Sequence, residues 1–143
     1  MPRESRQYAY DELSIGKKAE FDFVLSPNVI ADFAKLSGDS SSLHVDPEYA
    51  AGTEYKHPIA HGMIAGMLFS RLVGMEMPGK YCVYLSQALT FHRPMFAGST
   101  LVVSGEIIHK SDAVRSLTIT TEVRDKATGE LLVNGRALVR VLK

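Results

Sequence analysis

The stretch AHGMIAGMLFSRLVGM at residues 60–75 decides the fold that we predict. It is apolar on almost every side of a helix, which is the pattern of a buried helix rather than of a surface one. Its small residues recur at every fourth position, at Gly62, Gly66, Ser70 and Gly74. Because a glycine inside a helix costs roughly 1 kcal/mol relative to alanine, this stripe indicates that the helix backbone approaches another element or a ligand closely.

The periodicity of the chain changes from 3.6 to 2 after Pro78-Gly79. The segment YCVYLSQALTF at residues 81–91 alternates like a strand, and so do the segments at 19–25, 101–107, 117–123 and 131–141. Residues 125–129 have the composition of a hairpin connection. Short links between consecutive strands predict an antiparallel sheet, and one fully apolar helix needs a curved sheet around it. We therefore predict an α+β hot-dog fold, a curved antiparallel sheet of about five strands wrapped around a central buried helix, in one domain over residues 1–143.

The first half of the chain contains residues that typically begin and end helices, and they predict two further helices. Ser26-Pro27 is a helix start, because the serine hydroxyl can cap free amides and proline is tolerated in the first turn. Gly38 is placed to end that helix in the left-handed conformation, so residues 39–42 are predicted to form a loop. A short second helix is predicted from Asp46-Pro47 to Ala51.

Composition and charge exclude several classes of function. The 143 residues include 16 Lys and Arg against 16 Asp and Glu, and a zero balance argues against a broad surface for nucleic acid or lipid headgroups. Cys82 is the single cysteine and cannot form an intrachain disulfide, which favours a reducing compartment. The most apolar run, residues 60–74, is shorter than the ~20 residues of a membrane span. Residues 1–10 are polar, so we expect a cytoplasmic protein, with the mitochondrial matrix as the alternative.

Asp39 and His44 are the residues best suited to carry chemistry. They lie five residues apart on the predicted loop. Near pH 7 an ordinary aspartate is ionised and an ordinary histidine is mostly neutral, so such a pair can hold water and move a proton. The plainer interpretation is a turn aspartate beside a hydrogen-bonded structural histidine. Spacing alone favours this plainer interpretation.

Several segments together resemble one protein family. Gly38-Asp39 and Leu43-His44 match a motif Gly-Asp-x-Asn-Pro-Leu-His, and residues 58–63, 84–91 and 94–98 match its later segments. The chain therefore resembles the (R)-specific enoyl-CoA hydratases and MaoC-like dehydratases from about residue 21 to its end. Ser41-Ser42 stands where that motif has Asn-Pro. We expect this departure to bear on rate, loop rigidity and substrate preference more than on the class of reaction.

The resemblance implies a set of functional residues. Asp39 and His44 are the pair that binds and activates water, and we favour Asp39 as the base and His44 as the acid. The backbone amide of Gly62 is the expected donor to the developing enolate oxygen of the thioester, since a helix N-terminus offers unpaired N–H groups. Ser70 matches a serine that lines the family's site. An equally good interpretation is that Ser70 is a small polar residue that a tightly packed helix tolerates.

The resemblance also implies the partners of the protein. The substrate is an acyl thioester of CoA or of acyl carrier protein, no cofactor or metal is required, and two chains form a homodimer. The acyl chain length and the physiological direction of the reaction stay open. Metal binding by His57 and His61 is disfavoured because Pro58 holds the residue before it out of helical geometry.

Two other functions compete with the hydratase. Hot-dog thioesterases generally carry a carboxylate on or near the buried helix, and Glu76 lies just beyond this one. A non-catalytic subunit that binds acyl thioesters is permitted by the Ser41-Ser42 departure, although it would have little use for Asp39 and His44.

Overall fold

Five strands form one antiparallel sheet in the computed structural model, which describes residues 2–143. The strands are β1 (Lys18–Val24), β2 (Cys82–Phe91), β3 (Thr100–Ser111), β4 (Ser116–Asp125) and β5 (Leu131–Val141). Their order across the sheet is β1-β3-β4-β5-β2, so β1 and β2 are the two edges. The predicted strand count and the antiparallel pairing are confirmed. The predicted connection at residues 125–129 joins β4 to β5.

One face of the sheet is buried against a central helix. Side chains on β3 and β4 alternate between buried and half-exposed, and the buried ones include Leu101, Val103 and Ile119. Gly105 shows how closely the helix approaches: a Cβ atom there would lie 2.9 Å from Leu72 Cδ2. The predicted hot-dog arrangement is therefore confirmed, and the close contact depends on a glycine of the sheet, whereas a Cβ atom at Gly66 or Gly74 of the helix would meet no atom closer than 3.6 Å.

The central helix is shorter than predicted. Helix α4 covers Ile64–Arg71 and continues as a π-helical turn over Leu72–Glu76, whereas the periodicity predicted one helix over residues 60–75. The chain enters α4 by an extended path, because the amide of Ile59 donates to Leu43 O and the amide of Ala60 donates to Met95 O. Ile64, Leu68 and Phe69 of α4 are almost completely buried, as a helix that is apolar all round requires.

Three helices precede α4 and carry the residues of interest. Helix α1 (Pro27–Ser37) begins as predicted, with Ser26 Oγ accepting from Val29 N, and ends at Gly38 in the left-handed conformation (φ 79°). Helix α2 (Ser42–Val45) takes up the last residue of the predicted loop. Helix α3 (Pro47–Ala51) begins at Asp46, whose side chain accepts two backbone amides. Within residues 2–143, the structure contains no helix with both the length and the apolarity that crossing a membrane demands.

Candidate active site

Asp39 lies on the short loop between α1 and α2. Its amide donates to Ser37 Oγ over 3.1 Å, and its Oδ1 accepts from Ser41 N, also over 3.1 Å. The side chain is about half exposed, at 49%. These two hydrogen bonds are both of short range and shape the loop from within.

The carboxyl group of Asp39 is held in its ionised form. The backbone N–H of Ser41 and then the Ser41 hydroxyl lower its pKa below the ordinary value, and partial burial opposes them. A positive charge on His44 or His61, when either ring is protonated, lowers the pKa of Asp39 further. Ser41 thus supplies donors to Asp39 from the position where the family motif has asparagine.

The second departure from the motif, Ser42, stands at the first residue of α2. Ser41 before it is extended (φ −61°, ψ 144°), which is the conformation that a residue preceding proline prefers. Proline is well suited to the first helical position. The backbone therefore keeps the geometry of an Asn-Pro pair although neither residue is present.

His44 projects from α2 and is oriented by a main-chain carbonyl. Its Nδ1 lies 2.7 Å from Ile59 O. A carbonyl oxygen can only accept, so Nδ1 carries the hydrogen and Nε2 is left for chemistry. Nε2 lies 4.0 Å from Asp39 Oδ2. That separation is too long for a direct hydrogen bond and suits a bridging water at about 2.8 Å from each atom.

His44 borders two cavities. The first, of about 330 Å³, is lined by residues around the start of α4 and the end of β2, among them Tyr55, Gly62, Met63, Phe91 and Arg93. The second, of about 460 Å³, lies on the side of Ile30, Pro58 and Phe96. Both cavities have mostly apolar linings. Because His44 lines both, its imidazole is accessible from two sides.

Gly62 lies in the first cavity, but outside the helix on which it was predicted. It precedes α4 by two residues, in the turn at 61–63. Among residues 2–143 its amide has no hydrogen-bond acceptor. The N–H group is therefore free to donate to a ligand, as the N–H groups at a helix N-terminus are. The residue must be small here, because a Cβ atom would lie 2.7 Å from Phe91 Cε1.

Ser70 and Glu76 lie away from this cavity. Ser70 is exposed on α4, two turns beyond Gly62, and it lines neither cavity beside His44. Glu76 lies in the π-helical turn at the far end of the central helix and pairs with Arg3. The structure therefore brings together Asp39, His44 and Gly62, and leaves Ser70 and Glu76 apart.

His61 is a member of the site that the sequence analysis did not assign to it. It is 2% exposed, its Nε2 lies 2.8 Å from Asp39 O, and its ring stacks on that of His44 with 4.0 Å between centroids. The signal in the sequence was its place in the segment 58–63 that matches the family, and a sequence match does not show which residues His61 contacts in the folded chain.

Asp39, His44 and His61 bring three metal-ligating groups within 4.8 Å of one another. The two imidazole rings are nearly parallel, with 28° between their planes. Lone pairs in stacked rings lie in parallel planes and do not converge on one ion, so this geometry is a poor match to the tetrahedral site that zinc takes. His57, considered with His61 from the sequence, is outside the group.

Comparison with protein families and curated proteins gives one consistent result. The model of the MaoC-like domain matches residues 12–130. An (R)-specific enoyl-CoA hydratase of Aeromonas caviae is 37% identical over 129 residues, which are 90% of this chain and 96% of that protein. A 3-hydroxybutyryl-CoA dehydratase of Methylorubrum extorquens is 31% identical and covers 98% of this chain and 88% of its own length.

A solved structure agrees with these matches. An (R)-hydratase of Pseudomonas aeruginosa, in its unliganded form, superposes with a TM-score of 0.88 at 36% sequence identity. The match covers 94% of this chain and 86% of that one. The similarity therefore extends over nearly the whole chain.

Proposed function

The chain belongs to the MaoC-like domain family, and from this premise we propose that it is an (R)-specific 2-enoyl-thioester hydratase that also runs in reverse as a 3-hydroxyacyl-thioester dehydratase. It is then a hydro-lyase. The observation that carries the proposal is the pair of Asp39 Oδ2 and His44 Nε2, which lie 4.0 Å apart, with His44 lining a mostly apolar cavity. Such a gap holds one water between a carboxylate and an imidazole.

The proposed reaction adds water across the double bond of a trans-2-enoyl thioester on one face. The water oxygen bonds to C3 while its proton passes to Asp39, and C2 receives a proton from the Nε2 of protonated His44. The other hydrogen of the water stays on the new hydroxyl group, and the proton on Asp39 then passes to His44 Nε2, which restores the ionised carboxylate and the protonated imidazole. The reverse sequence eliminates water. Ile59 O keeps the His44 ring in one orientation throughout, because it accepts from Nδ1 in either protonation state.

The negative charge that develops on the thioester oxygen needs a donor, and we assign this role to the amide of Gly62. It lines the same cavity as His44, and it precedes the N-terminus of α4, whose dipole favours negative charge. Ser70 has no place in the proposed site, because it is exposed two turns further along α4.

The two cavities beside His44 support an extended thioester as the substrate. Its reacting carbons lie between an acyl chain and a pantetheine arm, so an imidazole bordered by two openings is well placed between them. CoA and acyl carrier protein share the pantetheine arm. The proposed substrates therefore include thioesters of both, and the proposed reaction uses no cofactor or metal.

We also propose that two copies form a homodimer through the edge strand β2. This strand pairs with β5 on one side only, and it leaves apolar side chains such as Leu85 (52% exposed) and Phe91 (52% exposed) uncovered. Met63, which lines the first cavity, is exposed beside it. The mass in solution tests this: Leu85→Glu should halve the mass of the particle, and a monomeric parent protein would contradict the proposal.

Two further features of the protein belong to this proposal. Residues 1–143 act as one domain, since strands from both halves of the chain share one sheet. The location is the cytoplasm, in keeping with the free thiol of Cys82.

The test is one assay with crotonyl-CoA that follows the enone absorbance and free thiol together. We expect the enone to disappear without release of thiol, and the product to be the (R)-3-hydroxy thioester. Thiol release would support the thioesterase, although Glu76 lies far from the cavity and is paired with Arg3. No change in either signal would leave only a binding role.

A further inference from the structure

We propose that His61 is a positioning residue for the reaction, which holds both Asp39 and His44 in place from the buried side of the site. The inference rests on the proposed function. It adds a role for a residue that touches neither water nor substrate in the proposed reaction. His61 is 2% exposed, while Asp39 is about half exposed.

The first contact of His61 is a tether to the Asp39 loop. Its Nε2 donates to the Asp39 carbonyl over 2.8 Å, and the two residues are 22 positions apart in the sequence. The other hydrogen bonds of Asp39 described above reach only to Ser37 and Ser41 on the same loop. His61 therefore fixes the position of Asp39 against the core, which bonds within the loop cannot do.

The second contact is the stack of the two imidazole rings. The rings of His61 and His44 lie 4.0 Å apart at 28°, and Phe33 packs on His61 with 4.8 Å between centroids at 49°. The plane of His44 is thus set by Ile59 O at its edge and by His61 on its face. A displacement of the His61 ring would move both members of the pair.

One atom of His61 argues against a role in packing alone. Nε2 donates to a carbonyl, so Nδ1 of the neutral ring is an acceptor, and this buried atom has no partner among residues 2–143. A buried polar atom without a partner destabilises a fold. An apolar side chain would avoid that cost but could not tether the Asp39 loop.

Three substitutions separate the tether from simple filling of space. His61→Gln can place an amide nitrogen where Nε2 lies, His61→Asn places its amide nearer the position of Nδ1, and His61→Leu has no donor. Crotonyl-CoA hydration is measured for each, with kcat and KM separated, and amide hydrogen exchange is measured at residues 39–41. Thermal unfolding of each variant shows that the folded state is being compared.

We expect His61→Leu to lose about 10²-fold in kcat, the scale for a small misplacement of catalytic groups, with little change in KM. His61→Gln should recover at least about tenfold of that loss, and exchange at residues 39–41 should be faster in the leucine variant than in the glutamine variant. If His61→Leu does not fold, His61→Asn replaces it in the comparison. The asparagine variant should then show the same loss of about 10²-fold in kcat.

The proposal is overturned if His61→Leu keeps the parent kcat, or if Gln is no better than Leu or Asn. A parent protein that hydrates nothing refutes the proposed function instead. The exchange data then decide on the tether alone: equal exchange in the leucine and glutamine variants refutes it, and faster exchange in the leucine variant supports it.

Discussion

The two ends of the central helix each bury a polar side chain, and the two are used differently. His61 precedes α4 and is 2% exposed, while Glu76 ends the π-helical turn and is 8% exposed. His61 bonds to a main-chain carbonyl and stacks on a second ring beside an open cavity. Glu76 instead meets a charge of opposite sign, Arg3.

The Glu76 end is closed by the start of the chain. Arg3 Nη2 donates to Glu76 Oε2 over 3.1 Å, and Nη1 lies 2.7 Å from Oε1 without the angle of a hydrogen bond. Arg6 N donates to Met75 O close by. A carboxylate that is neutralised by Arg3 and covered in this way is suited to stability, whereas His44 and Gly62 at the His61 end line a cavity and are suited to chemistry.

The largest effect should come from the pair at the His61 end. Asp39→Asn and His44→Asn remove a group that accepts or donates a proton, so each should lower the hydration rate by ~10²-fold or more. Asp32→Asn, an exposed acidic residue on α1, is the matched control and should keep the parent rate. Steady-state kinetics with crotonyl-CoA measure all three, and parent-like rates in both test variants would contradict the assigned mechanism.

Gly62→Ala should have the next largest effect. The new Cβ would lie 2.7 Å from Phe91 Cε1, and since Phe91 is half exposed its ring can move, at the expense of the cavity. We expect a loss of about tenfold in kcat/KM. Gly66→Ala is the control, because its Cβ would make an ordinary 3.6 Å contact with Leu89 Cδ1.

A double variant sharpens this experiment. Gly62→Ala combined with Phe91→Leu should recover part of the loss, since the smaller side chain leaves room for the methyl group. If the double variant is as slow as the sum of the single ones, the clash with Phe91 is not the cause.

The sheet and the helix boundaries were largely predictable because they depend on local periodicity. The alternation at residues 81–91 and the Ser26-Pro27 start needed no knowledge of distant contacts. The start of α4 was predicted four residues too early, because Ala60 bonds to Met95, which lies 35 positions away. Nothing in the composition of residues 60–63 predicts that hydrogen bond.

The site could be predicted only where its residues are close in sequence. Asp39 and His44 were proposed from a resemblance to a family motif, since their spacing alone favoured a structural role. The contact of His61 with Asp39 spans 22 residues and depends on how α1 and α4 pack. Ser70 was also named from the resemblance, and its side chain lies on the exposed face of α4, outside the linings of both cavities beside His44.

Glu76→Gln tests the other end of the helix. Removing the charge leaves Arg3 without its partner, and because Arg3 is 55% exposed the free energy of unfolding should fall by only about 1 kcal/mol. For a chain of this length the Tm should fall by a few degrees. The kinetics of hydration should not change. A tenfold loss of kcat would contradict the assignment of Glu76 to stability alone.

Arg3→Ala provides the matched variant for the same pair. Its loss of stability and that of Glu76→Gln should not add in the double variant, because both remove one interaction. Thermal and urea unfolding of the four proteins measure the coupling.

The smallest effect concerns the charge of Asp39. Ser41 lowers the pKa of this carboxyl through its backbone N–H and its hydroxyl, so Ser41→Ala should raise the pKa while the backbone donor remains. A carboxyl whose pKa is lower in the folded state stabilises the fold above its unfolded pKa, and this contribution is lost as the pH falls through the folded value. Ser41→Ala should therefore move the protonation of Asp39 to higher pH, and the acid limb of the rate profile should move with it. NMR titration of the Asp39 carboxyl carbon measures the shift, with Ser40→Ala as the control. An unchanged titration in Ser41→Ala would show that the hydroxyl does not act on Asp39, and that the backbone amide alone replaces the asparagine of the family motif.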